Sequence, residues 1–281
     1  MTTASARSFQ VDGLRLIGDE IQTVPSRGTV ILLHGGGQTR HSWRGTALSL
    51  AGAGWSSLTV DARGHGDSDR APDSDYSLDA QVSDLVGIAA AYESPVLVGA
   101  SMGGLSSLVA TGERRINPRG LVLVDVAPRT EAAGAKRIRD FMQANPDGFA
   151  SLDDVADAVA AYNPLRARPV SADGLKKNVR LGADGRWRWH WDPAFIRSAE
   201  ADPKRILDRP RLLSAAAAVA VPTLLVRGVQ SDLLSPEGAD ELLTLVPGAR
   251  LVDVAGAGHM VAGHDNDAFA RAVIDFLDDL S

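Results

Sequence analysis

The chain has 281 residues, 44% of them hydrophobic and 23% charged, with a formal net charge of −6 at neutral pH. This is the composition of an ordinary globular protein, long enough for one large α/β domain or for a core with an inserted piece. The acidic balance excludes a nucleic-acid partner, because phosphate binding needs clustered Lys and Arg, and the absence of cysteine excludes disulfides, thiolate catalysis and Cys-ligated metals.

The first ten residues carry one arginine and no apolar core of a signal sequence, and no later segment is apolar over the length of a membrane span. The expectation is a soluble, cytoplasmic protein. Residues 9–21 alternate apolar and polar side chains around Asp12-Gly13, the pattern of a two-stranded hairpin with a D-G turn. Residues 29–33 are β-branched and apolar, as in a strand buried on both faces. That strand runs into His34-Gly35-Gly36-Gly37, whose backbone N–H groups face whatever binds at the strand's carboxyl end.

Residues 43–53 have helical spacing and residues 57–60 form the next strand. The loop Asp61-Ala62-Arg63-Gly64-His65-Gly66-Asp67-Ser68 that follows is dense in glycine and charge. It reads as a tight turn whose charged groups hydrogen-bond one another rather than as a site where His65 or Asp67 is catalytic. Residues 76–91 are an amphipathic helix with Leu78, Val82, Leu85, Val86 and Ala89 on one stripe.

Residues 95–98 are a short buried strand, followed at once by Gly99-x-Ser101-x-Gly103 and then by residues 105–110 with the apolar content of a helix. Strand, G-x-S-x-G and helix in that order are the context of a nucleophile elbow, which holds the serine hydroxyl at a helix N-terminus. Both glycines are required sterically, since a side chain at either would strike the neighbouring strand or helix.

Residues 120–126 and 223–226 are further buried strands. Between them, residues 132–144, 152–162 and 172–181 have helical periodicity interrupted by Pro and Gly. Arg186-Trp187-Arg188-Trp189-His190-Trp191 lies in the same segment, with tryptophans alternating as on one face of an extended chain. They read either as an aromatic wall over an apolar substrate or as an anchor of the inserted segment to the core.

In combination, His34-Gly35-Gly36, Asp61-x-Arg63-Gly64-x-Gly66-x-Ser68 and Gly99-x-Ser101-Met102-Gly103 resemble the α/β-hydrolase superfamily. The nearest likeness is to the group of esterases, haloperoxidase-like perhydrolases, enol-lactonases, carbon–carbon bond hydrolases and epoxide hydrolases. The resemblance covers about residues 29–126 and 221–280. It implies a mostly parallel central sheet with helices on both faces, a hydrolase core in residues 1–128 and 221–281, and a helical cap in residues 129–220.

Serine is a poor nucleophile until a base takes its proton, and an acid must hold that base in one tautomer. His259 follows the strand at residues 250–254 in Ala255-Gly256-Ala257-Gly258-His259-Met260 and is the expected base; His34, His41, His65, His190 and His264 are less well placed. The chain order Ser, acid, His of the superfamily points to Asp232, beyond the strand at residues 223–226, with Asp125, at the end of residues 121–124, as the alternative. Glu237 and Asp240 read as surface residues of the next helix.

The implied oxyanion hole is the N–H of Gly36 and of Met102, with Gly37 as a further contributor. Gly37, Trp189, Trp191 and Met260 are the expected substrate contacts. Epoxide and haloalkane hydrolases carry aspartate where Ser101 stands, so the expected substrate is a small carboxylic ester or lactone. Carbon–carbon bond hydrolysis by the same triad is the alternative, perhydrolysis a side activity of either, and a small-molecule receptor with vestigial turnover the reading from another class. Neither metal-ligand spacing nor a phosphate or dinucleotide loop occurs, so no cofactor or metal is expected. The final helix, residues 268–280, presents Phe269, Val273, Phe276 and Leu277 to the sheet.

Overall fold

The computed structural model describes residues 3–164, 171–202, 205, 207–259, 261 and 267–280. The N-terminal hairpin forms as expected, with β1 (Thr3–Val11) and β2 (Leu14–Gln22) paired antiparallel. Asp12 and Gly13 between them both take positive φ, as a type I′ turn requires. The core then alternates strand and helix: β3 (Thr29–Leu33), α1 (Arg44–Gly52), β4 (Ser56–Val60), α2 (Leu78–Ala89), β5 (Val96–Ala100), α3 (Met102–Gly112) and β6 (Gly120–Val124).

The segment after β6 departs from that alternation. It contains α4 (Ala132–Gln143), α5 (Leu152–Tyr162), a two-stranded antiparallel ribbon of β7 (Val179–Leu181) and β8 (Trp187–Trp189), α6 (Pro193–Ala201) and α7 (Arg209–Ala218). Where helical periodicity suggested one helix over residues 172–181, a single 3-10 turn (Ala172–Lys177) gives way to β7. The pairing of Val179 to Leu181 with the tryptophan strand outweighs local propensity there. The core resumes with β9 (Thr223–Gly228), α8 (Pro236–Leu245), β10 (Arg250–Val254) and α9 (Asp267–Asp278).

Eight strands form one sheet in the order β1-β2-β4-β3-β5-β6-β9-β10, parallel from β4 onward. Its two faces bury separate clusters, because side chains alternate along each strand. Ile31, Leu97, Leu121 and Leu123 pack under α2, α3, α7 and α8, whereas Val30, Leu32, Val96, Val98, Val122 and Val124 pack against Trp43, Trp55 and α9. Each such fully buried aliphatic side chain contributes roughly 1.5–3 kcal/mol. Helix α7 contributes Leu212, Ala215 and Ala216 to the first cluster, and so packs as part of the core although it precedes β9.

Register decides where the chemistry is placed. Leu33 pairs with Gly99, Ala100 with Val124, and Val124 with Val226, so β3, β5, β6 and β9 end level with one another. The strand order reverses between β3 and β5, where open α/β sheets bind ligands at the carboxyl edge. Ser101, the residue after β5, takes φ 46° and ψ −112°. A Cβ on Gly99 would lie 2.4 Å from the carbonyl oxygen of Gly103, and one on Gly103 would lie 2.6 Å from the Leu33 backbone. Replacing either glycine by alanine is therefore expected to cost about 3 kcal/mol of stability, measurable by urea unfolding.

Candidate active site

Ser101 lies at the sharp turn between β5 and the N-terminus of α3, and its own N–H is donated to the Val124 carbonyl at 3.1 Å. Beside it, at the end of β6, Asp125 is fully buried in a left-handed conformation, φ 51°. One carboxylate oxygen of Asp125 accepts the Gly228 N–H at 3.0 Å. The other accepts Ser231 Oγ–H at 2.5 Å and the imidazole Nδ1–H of His259 at 2.7 Å.

His259 reaches this position because its loop lies directly on the end of β9. Val229 and Gln230 donate their N–H groups to Val254 and Ala257, and a Cβ on Gly228 would lie 2.4 Å from the Gly258 carbonyl. Gly256, with φ 71°, makes the turn that brings the chain back over the sheet. Ser101 and His259 line the same cavity, of about 960 Å³.

Asp232 does not meet His259. Its carboxylate pairs at 2.8 Å with Arg137 of α4, and its carbonyl oxygen would be 2.2 Å from a Cβ on Gly134 of the same helix. The expected acid is therefore corrected to Asp125 as the partner of His259. The loop after β9 turns its serine, Ser231, inward to Asp125, and carries Asp232 outward to α4.

Gly36 lines the cavity and its N–H has no acceptor among the described residues. Met102, also at the cavity, is the first residue of α3, where amides lack intrahelical acceptors. The next N–H groups along are partly taken, Gly103 by the His34 carbonyl at 3.2 Å and Leu105 by that of Ser101 at 2.9 Å. Gly37 differs from expectation as a donor: its N–H is given to His65 Nε2 at 3.1 Å, so it contributes surface to the cavity and no free hydrogen bond.

The opposite wall comes from the segment between β6 and β9. Trp189 and Trp191 stack with ring centroids 4.8 Å apart and interplanar angle 12°, and both face the cavity together with Phe141, Met142 and Phe195. Trp187 instead packs among Phe149 and Val155. Met260 lies outside the described residues. No group of three His, Asp or Glu that could hold a metal occurs among the described residues, and no described helix is long and apolar enough to cross a membrane.

The loop at residues 61–68 is the charged, self-bonded turn its composition suggested. Asp61 accepts the Arg40 and Asp67 N–H groups at 2.7 and 3.0 Å and also pairs with the Arg40 guanidinium, while Arg63 forms a two-pronged pair with buried Asp84. Neighbouring carboxylates hold the Arg40 guanidinium still further above its ordinary range, against the cost of its burial. A Cβ on Gly66 would lie 2.1 Å from the Asp61 carboxylate. Local reading missed that His65 points inward from this turn onto the glycine loop.

Three buried histidines, 34, 65 and 190, form a row with ring centroids 5.3 and 5.7 Å apart. His34 Nε2 accepts the Ala62 N–H at 3.0 Å, His65 Nε2 accepts that of Gly37, and His190 Nδ1 accepts that of Gly66 at 2.8 Å. Each ring therefore needs one unprotonated nitrogen, and the remaining N–H of each donates to a carbonyl: His34 to Gly35, His65 to Arg63 and His190 to Gly37. Burial lowers the pKa of all three; repulsion from His34 adds to it at His65, which is pushed down to about 3, and repulsion from His65 and His34 adds to it at His190.

A match to the alpha/beta hydrolase family extends over residues 30–272. The chain belongs to that family. It is 29% identical over 229 residues to 2-(acetamidomethylene)succinate hydrolase of Mesorhizobium japonicum, covering 80% of this chain and 79% of that one. It is 28% identical to an esterase of Mycobacterium tuberculosis over 259 residues, 89% of this chain and 82% of the relative. Among solved structures, an alpha/beta hydrolase from Novosphingobium aromaticivorans superimposes with a TM-score of 0.82 at 27% identity over 99% of both chains.

Because these histidines are neutral in the folded hydrolase but take up protons in the unfolded chain below about pH 6.5, stability falls as pH drops from 6.5 toward 3. Urea unfolding between pH 7 and pH 5, above the main carboxylate range, is expected to show a loss approaching 1.4 kcal/mol per pH unit for each fully depressed histidine, about 4 kcal/mol per unit at most. A flat profile would show that the rings are charged in the fold.

Proposed function

We propose that this member of the family is a serine hydrolase acting on a small carboxylic ester or lactone through an acyl-enzyme. The observation that carries the reading is the 2.7 Å hydrogen bond from His259 Nδ1 to buried Asp125, in a cavity that His259 shares with a serine held at φ 46°. With Nδ1–H committed to Asp125, Nε2 of His259 is the free basic nitrogen. It takes the Ser101 proton as Oγ attacks the substrate carbonyl carbon.

The resulting oxyanion is held by the N–H groups of Gly36 and Met102, aimed at the charge that develops in the transition state. His259 then returns the proton to the leaving oxygen, and a water deprotonated by the same nitrogen releases the acid from Ser101. The segment of residues 129–220, with the exception of α7, acts as the cap, and its Trp189–Trp191 stack with Phe141 forms an apolar wall for the substrate. No cofactor takes part in this scheme.

The likeness to a 2-(acetamidomethylene)succinate hydrolase supports a second reading, in which the same three residues cleave a bond other than an ester next to a carbonyl, including a carbon–carbon bond. A panel of nitrophenyl esters of increasing chain length separates the two. Under the first reading the wild type releases nitrophenol and Ser101→Ala does not. Asp125→Asn is expected to lower kcat by roughly 10³–10⁴-fold, by releasing the imidazole from its required tautomer, whereas Asp232→Asn stays within a few-fold. Near-equal losses in the two aspartate variants would remove Asp125 from the proposed role.

A further inference from the structure

Each peptide plane of the glycine loop has its own histidine. In a trans peptide the C=O of one residue and the N–H of the next point in opposite directions, so tying either one orients both. The Gly35 carbonyl accepts from His34 Nδ1 at 2.8 Å and from the Gln38 N–H at 3.1 Å, which turns the Gly36 N–H away from His34. The Gly37 N–H is held by His65 and fixes the second plane. The Gly37 carbonyl is held by His190 Nε2–H at 3.3 Å, and the Gln38 N–H at the other end of that third plane is the one that donates to the Gly35 carbonyl, so His190 bears on the Gly36 N–H through Gln38.

These ties matter because the loop has no side chains of its own to pack, and Gly37 sits at φ 75°, where glycine is freest to rotate. His34 and His65 belong to the core. His190 does not: it immediately follows β8 in the inserted segment, on the opposite side of the chain from the cavity-facing Trp189 and Trp191.

His190 is also part of the seam that seats the β7–β8 ribbon on the core. Its Nδ1 accepts from Gly66 N–H, while Arg180 of β7 donates to the Gly66 carbonyl at 3.1 Å and to Asp67 at 2.7 Å. Asp192 gives its N–H to the Gly64 carbonyl at 2.8 Å and accepts the Tyr76 hydroxyl at 2.6 Å. Lifting the ribbon would break this seam and release the Gly37 carbonyl in the same movement.

We infer that His190 is a positioning residue that ties assembly of the oxyanion hole to seating of the β7–β8 ribbon on the core. This rests on the serine-hydrolase reading for what the loop does, though not for how the loop is held. The hole is complete when the ribbon is down over a bound substrate. When the ribbon is raised to admit substrate, the third peptide plane keeps only its Gln38–Gly35 hydrogen bond.

The test uses His190→Ala, His190→Gln and His190→Asn in the full chain. A glutamine amide reaches the place of Nε2 and can donate to Gly37; an asparagine amide reaches the place of Nδ1 and retains only the Gly66 bond. With a nitrophenyl ester, Ala and Asn are expected to lower kcat by about 10- to 100-fold with KM within about twofold, and Gln to restore most of the rate. Hydrogen exchange of the peptides covering residues 34–38 should quicken in Ala and Asn and stay slow in Gln.

The inference is overturned if Gln and Asn behave alike, or if exchange at residues 34–38 is unchanged in Ala. Should Ala fail to fold, the comparison of Gln with Asn decides. Absence of ester hydrolysis in the wild type would count against the proposed function, and the exchange measurement would still decide the role of His190.

Discussion

A serine at φ 46° and ψ −112° is in a region that L-residues avoid at a cost of order 1–3 kcal/mol. It persists because everything around it is already in place. Gly99 and Gly103 allow β5 and α3 to meet without a Cβ between them, Gly103 donates to the His34 carbonyl, and Ser101 donates to Val124 of the neighbouring strand. The elbow therefore depends on a sheet whose central strands end level, and the same register places Asp125 and the loops after β3, β9 and β10 within reach of one point.

Around that point, two kinds of support have been built. One is a rigid electrostatic frame: Asp125 accepts from Gly228, Ser231 and His259 at once, so its position is over-determined and its charge is fully hydrogen-bonded within the protein. The other is a row of neutral histidines, which orient the backbone amides of the glycine loop without bringing a charge to it. Neutral imidazole suits that task because it offers one donor and one acceptor in fixed directions. Burial of the rings is the main cause of their lowered pKa values.

The inserted segment closes the site from above and is joined to the core by polar contacts at two places. Arg137 pairs with Asp232 near one side of the cavity, and the seam through Arg180, His190 and Asp192 lies at the other. Exposed ion pairs such as the first contribute little individually. The second includes the buried ring of His190 beside the exposed Arg180–Asp67 pair, and it ends on the glycine loop at the cavity. The apolar remainder of the wall, Phe141, Trp189, Trp191 and Phe195, shapes the cavity.

The amino-acid sequence by itself determined the strands and helices of the core, the elbow at Ser101, the glycine loop and the candidate base, because each rests on local pattern: apolar runs, Gly spacing, and a His between glycines and the last helix. It also pointed to an aromatic wall, two of whose three tryptophans do face the cavity. Tertiary structure decided which carboxylate meets His259. Asp125 and Asp232 both follow strand ends, and only the path of the loop after β9, which turns Ser231 inward and Asp232 toward Arg137, separates them. It decided likewise that residues 179–181 pair as a strand, that α7 packs with the core, and that His65 and His190, which belong to a surface-like turn and to the inserted segment, converge on Gly37. Those outcomes rest on contacts between residues far apart in the chain, and such contacts leave no periodicity or motif in either partner alone.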